Sequence, residues 1–383
     1  MTAAAMTPRE RVVAAMTRQP VDYVPCSPLI NPLSEAQRRG RPWNFPWPSP
    51  GDGLEYLATV LGVDPVVGAW WLHEFHPHDE VTSHVWQDGD TLHKVWTTPA
   101  GELHAAVLFD ERWPHGRDVP FFTDFVGHFR VPWLKTEHDL ECLRHILLPP
   151  RTAEEIEGMR GRFEGLRSVA DQLRLPLVAT IGAGLSGALW LCGAEQVCLL
   201  AVDDPGLLHS YIELEHRWNM RLIELAVEWR ADIIRRSSFY ESALYFSPAM
   251  LEQFLGRCLP AEARAVHGAG LPYAYTAHSG VMPMLDWLAG LELDCVMQLD
   301  IAFDNVDLRA VQAKLGGRKS FWTGPSNTFH MYERSPEVVR QAVRDVFAVF
   351  GTPGLLITAC SSSHPMMPWE NTLAMIEEWR RLR

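Results

Sequence analysis

The chain is short of several things, and each shortage removes a class of function. It has no CxxC pair: Cys26, Cys142, Cys192, Cys198, Cys258, Cys295 and Cys360 are scattered and odd in number. That usage fits reduced thiols, not a disulfide framework. Positive charge is scarce, with 34 Lys and Arg against 47 Asp and Glu and a formal net charge of -13. No basic surface is therefore on hand to neutralise phosphates, and nucleic acid is not an expected partner. No apolar run reaches the roughly 20 residues that cross a bilayer, so no membrane span is expected. The opening MTAAAMTPRERVVAAM lacks a long apolar core before a cleavage site, and the cytoplasm is the expected compartment. There is no internal repeat and no low-complexity tract.

What remains is a chain of 383 residues, 47% hydrophobic and 21% charged, with ample material for a core. Its last third carries apolar runs that each end in a polar residue: ADIIRRSS (231–238), PYAYTAHSG (272–280), CVMQLD (295–300), SFWTGPSN (320–327) and LLITACSSS (355–363). Helical periodicity lies between them, at 285–293, 304–315 and 336–350. Strands alternating with helices of this length indicate parallel βαβ units. Further strand-like runs at 24–31, 65–71 and 177–184 bring the number to eight, which favours a (β/α)8 barrel, a TIM barrel, over an open doubly wound sheet. Residues 73–130 break the pattern with short alternating pieces and turn signals at Asp88-Gly89 and Pro99-Ala100-Gly101, as expected for β-hairpins inserted into the barrel. A single barrel domain over 1–383 is the expected organisation.

In a parallel barrel the chemistry sits where the strands end. The mouth would then carry His278, Ser279, Asp300, Asn327 and Cys360. His278 and Asp300 are candidates for acid and base, because histidine titrates near neutrality. Tyr240 and Asn327 are candidates for orienting a substrate. Many of the 15 tryptophans fall in the N-terminal half, and Trp70 and Trp71 at the end of the second strand are candidates for lining an apolar or cationic pocket. The segment His73-Glu74-Phe75-His76-Pro77-His78 reads as a solvated loop interrupted by proline, Arg38-Arg39-Gly40-Arg41 as an exposed loop face, and Gly182-Ala183-Gly184 as a weak phosphate cradle without the P-loop lysine.

Several short motifs together resemble the uroporphyrinogen decarboxylase family, in the branch that includes corrinoid-linked methyltransferases. They are Arg9-Glu10-Arg11-Val12 through Asp22-Tyr23-Val24-Pro25, Thr98-Pro99-Ala100-Gly101, Leu134-Lys135-Thr136 with Asp139-Leu140, Phe246-Ser247-Pro248, and Pro368-Trp369-Glu370-Asn371. The resemblance covers nearly the whole chain and implies a barrel with a deep mouth. It also exposes two departures. The family's decarboxylases carry an arginine-rich segment after the first strand, where this chain reads Ser27-Pro28-Leu29-Ile30-Asn31-Pro32-Leu33, so uroporphyrinogen is not the expected substrate. The thiol-activating methyltransferases use His-x-Cys-Gly for zinc, with a second Cys far downstream. Aligned on Pro283, those four places hold Thr276-Ala277-His278-Ser279, and the downstream cysteine corresponds to Cys360, one position off.

Zinc needs three converging protein ligands and one open position for catalysis, and Glu241, His278 and Cys360 are the candidate set. The resemblance then implies a methyltransferase that moves a methyl group between a small methylated substrate and a corrinoid protein or a thiol, with zinc as candidate cofactor. The corrinoid would ride on a partner protein, since no Asp-x-His-x-x-Gly signature is present. The alternatives are a metal-free decarboxylase or other lyase acting on a small carboxylic acid, and a degenerate barrel that only binds ligand.

Overall fold

Short, mostly apolar runs of three to six residues become the strands of a parallel sheet because both of their faces are covered, so nearly every position is buried. The computed structural model describes residues 5–28, 50–70, 74–122, 127–332, 334–360 and 367–383. In these residues the strands are β1 (Val67–Ala69), β2 (Thr82–Asp88), β3 (Thr91–Thr98), β4 (Gly101–Leu108), β5 (Phe129–Val131), β6 (Leu177–Ile181), β7 (Ile233–Arg236), β8 (Tyr273–Thr276), β9 (Cys295–Asp300), β10 (Ser320–Gly324) and β11 (Leu355–Ile357). A seven-stranded curled sheet runs β1-β6-β7-β8-β9-β10-β11, with every neighbouring pair parallel. A separate four-stranded antiparallel sheet runs β2-β3-β4-β5.

The strand expected at 24–31 is reduced, within the described residues, to one parallel bridge from Cys26 to Ile357 of β11. On its other side the Cys26 carbonyl accepts the Asp64 amide just ahead of β1. Residues 29–31 of that expected strand, and Arg38, Arg39 and Arg41, lie outside the described residues.

Alternation along the strands separates two apolar layers. Val178, Ile233, Ala274, Cys295, Met297, Trp322 and Leu356 share the inner face, where they pack on Val12, Ala15 and Met16 of the helix Pro8–Met16. The opposite face, with Leu177, Ala179, Ile234, Tyr273, Tyr275, Val296 and Leu355, packs on the surrounding helices. Helix Pro8–Met16 starts as its sequence requires: Thr7 and Glu10 form a capping box, and Pro8 stands at the first turn. Arg11 on this helix is buried and ion-paired to Asp22 and Asp64, which ties the helix to the edge of the sheet.

The apolar stretch 185–203 forms two helices, Leu185–Cys192 and Ala194–Asp203, bent by 116°. Gly193 makes the break with φ 81, a conformation that side-chain-bearing residues avoid. Among the described residues no single helix is long and apolar enough to cross a membrane.

Candidate active site

The C-terminal ends of β8, β9, β10 and β11 lie side by side, and backbone hydrogen bonds continue past the strands. The Asp300 amide donates to the His278 carbonyl, and Ser326 forms a bridge to Cys360. This brings His278, Asp300, Ser326 and Cys360 to one rim. The His278 ring is 20% exposed, with Nε2 3.8 Å from Asp300 Oδ2. That Nε2 is buried and makes no hydrogen bond. Burial holds the His278 pKa below its ordinary 6.5, with Asp300 and Asp304 opposing the shift, which favours the neutral ring.

Asp300 is fixed from three directions. Its Oδ1 accepts the amides of Ala302 and Phe303, and its Oδ2 accepts the Ser326 hydroxyl at 2.8 Å. The Ser326 amide in turn donates to His330 Nδ1. A carboxylate oriented in this way can hold and stabilise a protonated His278 without moving. Ser326 was missed in the sequence, although it stands in the same strand-end run as Asn327. Asn327 itself is buried, with its amide donating to the Cys360 carbonyl, and it opens the π-helical turn Asn327–Tyr332.

The remaining expected residues are placed differently. Tyr240 packs its ring against Trp190 and Tyr245, and its amide donates to Ser186. Trp70 is 49% exposed, with its ring over the Arg235 guanidinium at 4.6 Å. Trp71 and His73 lie outside the described residues. His78 is bonded to Arg151, and the Arg151 guanidinium also donates to the His76 carbonyl, so these two histidines are part of a packed loop.

The candidate zinc ligands do not assemble. Among the described residues no three His, Cys, Asp or Glu side chains converge on a point that suits a metal. Glu241 is turned into the layer behind β7, where it accepts from Arg236 Nη2 at 2.9 Å, from the Tyr275 hydroxyl at 2.6 Å and from the Leu185 amide. The Cys360 thiol is fully buried and donates to the Leu299 carbonyl, with Thr323 beside it. Burial, and then Asp300, push its pKa far up, which disfavours the thiolate that a metal needs. Glu241, His278 and Cys360 therefore do not fit zinc as a set.

The glycine turn after β6 is also occupied from within. Gly182 and Gly184 have φ 79 and 51, and their amides donate to Asn219 and Glu215. A Cβ on Gly184 would stand 2.2 Å from both Arg236 and Glu241. The amides that a phosphate would use already serve a buried acid cluster. In that cluster Arg236 pairs with Glu241 and with Glu262, which also accepts from the Tyr273 hydroxyl. Burial alone would raise Glu262, but Arg236, His216 and Tyr273 outweigh it and hold the carboxyl below its ordinary range. Glu215 has no such set of partners, and burial raises it to about 7.

With this geometry in view, comparison with known proteins places the chain. The model of the family described as uroporphyrinogen decarboxylase (URO-D) matches residues 127–382, well over half of the sequence. The chain belongs to the uroporphyrinogen decarboxylase family. A solved methyltransferase from Methanosarcina mazei superposes with a TM-score of 0.63 at 15% identity, covering 98% of this chain and 99% of that one. At that identity the likeness is one of fold. A putative vitamin-B12 independent methionine synthase from Listeria monocytogenes gives a TM-score of 0.42 at 13% identity, covering 62% of this chain and 70% of that one. No curated protein matches the sequence. Within the family's fold, then, this member presents a His–Asp pair at the strand ends.

Proposed function

We propose that this member of the family is a methyltransferase acting on a small methylated compound, with His278 and Asp300 as its proton-transfer pair. The observation that carries the reading is His278 Nε2: buried, neutral, without a hydrogen bond, and 3.8 Å from a carboxylate fixed by Ser326 and two amides. With a thiol as acceptor, the thiol loses its proton to His278 and its sulfur attacks the methyl carbon. The S–C bond forms as the bond from carbon to the donor heteroatom breaks. The released electron pair stays on the heteroatom, which takes the proton back from His278. Asp300 stabilises the imidazolium between the two transfers. The family and the fold of the Methanosarcina mazei methyltransferase support this class of reaction. A corrinoid carried on a partner protein is the other methyl carrier that the reading admits. We also take the sheet to close as a (β/α)8 barrel through the Cys26 segment, which touches β11 on one side and Asp64 on the other.

A second reading is favoured by the disagreement over zinc. A His–Asp pair with no metal set beside it among the described residues can equally protonate the carbanion left when a small carboxylic acid loses CO2, as a metal-free decarboxylase would. One experiment separates the two. Purified protein is given methylcobalamin, or methoxylated aromatic and methylated amine donors, together with 2-mercaptoethanol, and methyl thioether and CO2 are measured. Thioether formed by the wild type and reduced about 100-fold in His278→Gln supports transfer. CO2 release from small acids with no thioether supports the lyase and overturns the first reading.

A further inference from the structure

β9 is irregular where it approaches the rim. Met297 stands opposite Trp322 of β10 and Leu299 opposite Thr323, so Gln298 is the extra residue of a bulge. Gln298 has φ 61, a left-handed backbone that glycine adopts freely and glutamine adopts under strain. The bulge resets which way the side chains face. Cys295 and Met297 belong to the inner layer and Val296 to the outer one. An unbroken strand would then send Gln298 and Asp300 outward. Instead Gln298 meets Arg235, which shares the inner face of β7 with Ile233, and Leu299 joins the outer layer. Asp300 is thereby turned in toward His278. The facing of the rim carboxylate is set by one strained residue.

Glycine would supply the same backbone without strain, so it is the glutamine side chain that has to be accounted for. It is 1% exposed. Arg235 Nη2 donates to its Oε1 at 3.4 Å. A guanidinium has donors only, and this fixes which way the carboxamide is turned. The two Nε2 hydrogens are left without an acceptor among the described residues. Gln298 and Thr276 precede Asp300 and His278 by two residues each, which puts them about 6 Å below the rim pair. Met297, next to Gln298, lines a cavity of about 60 Å³ with Thr180, whose buried hydroxyl also has no partner. At the rim, Phe239 and Phe303 flank the His278 ring at 5.9 and 6.1 Å. We infer that Gln298 is a substrate-binding residue, whose Nε2 donates to an oxygen of a ring compound seated between the two phenylalanines and the bulge. The substrate class is then one with an oxygen acceptor, such as an aryl ether or a phenol; an alkylated ammonium offers no acceptor to these donors. The inference deepens the proposed reading and rests on it for the reacting end at His278.

Binding without turnover tests the contact apart from the chemistry. Methoxybenzene, whose oxygen can accept, and ethylbenzene, close in shape but without an acceptor, are titrated into the full chain by tryptophan fluorescence, with calorimetry as a check. The ratio of the two affinities is compared between proteins, which cancels the probes' own difference in hydrophobicity. Gln298→Met, similar in length and without donors, should lower the ratio of methoxybenzene to ethylbenzene affinity about 5- to 10-fold. Gln298→Gly should lower it as well, while its urea midpoint stays level or rises because the left-handed backbone is no longer strained. An unchanged ratio in these variants, no binding of methoxybenzene to the wild type, or a Gln298→Gly midpoint well below the wild type overturns the assignment, the last because the side chain would then serve the fold. If Gln298→Met does not fold, Gln298→Gly decides. A ratio that falls as expected in a protein that makes no thioether keeps the oxygen contact and removes the methyltransferase. Thioether made from methylated amines at a rate that Gln298→Met leaves unchanged does the reverse.

Discussion

Arg235 and Arg236 are neighbours in the chain and equally buried, yet the two faces of β7 surround them differently. Behind the sheet, Arg236 is gripped by Glu241 and Glu262, with Glu215, Tyr273 and Tyr275 completing a closed polar layer under the glycine turn. In front, Arg235 meets a threonine, a glutamine and an aromatic ring beside a cavity. A guanidinium among carboxylates organises structure, because its charge is already matched. Burial alone does not distinguish the two settings; the partners do.

The sharpest way to break this comparison is stability. Arg236→Met strands two ion-paired carboxylates in the interior and should cost about 3–5 kcal/mol, read as a large fall in the urea midpoint. Arg235→Met, whose described hydrogen bonds run to the Thr276 hydroxyl and the Gln298 side chain, should lose clearly less. Equal losses would mean that both arginines are structural. Next in size, His278→Gln should lower turnover about 100-fold while leaving the urea midpoint within experimental scatter. Because burial depresses the His278 pKa, a rate that depends on the neutral ring should decline at lower pH than an ordinary histidine would set. An NMR titration of the ring checks the same direction.

A smaller effect concerns Glu215. Its carboxyl titrates at about 7 in the folded chain against an ordinary 4.5, so the native state binds the extra proton between those values. The stability linked to this group is complete below pH 4.5, declines as pH rises toward 7, and changes no further above. Glu215→Gln, which can still accept from the Gly184 amide, should flatten that slope in urea midpoints measured across the window. The smallest effect is expected at the rim's thiol. Cys360→Ala removes a small buried group and should cost about 1–2 kcal/mol, with turnover nearly unchanged. A turnover loss comparable to that of His278→Gln would restore Cys360 to the chemistry.

Much of the parallel sheet was legible because its signals are local. CVMQLD becomes β9 with the boundaries read from the sequence, and the helix Pro336–Phe350 likewise follows its periodicity. The segment 185–203 was not legible in this way. It is apolar nearly all round, so no face marks its axis, and the bend at Gly193 hides within a continuous helical composition. At the rim, His278 and Asp300 could be picked out as polar residues ending apolar runs. Glu241 was misplaced for a definite reason. A carboxylate beyond a strand end looks available until its partner is known, and that partner, Arg236, faces away from the mouth. The signal for Arg235 was present in IIRR, two charges inside a run that could only be buried, but facing could be assigned only once the sheet's layers were known.

The helix Pro8–Met16 has a bearing on how the molecule forms. Nine residues are too few to persist as a helix in water, and its berth is built from strands that include β10 and β11 near the opposite end of the sequence, with Arg18 clasping the carbonyls of Lys319 and Pro353. During synthesis this segment emerges long before β10 and β11 and must wait, unanchored, until they have followed. Assembly is therefore governed by distant closures and should be slow, with the early segment exposed to chaperones and proteases for as long as the wait lasts.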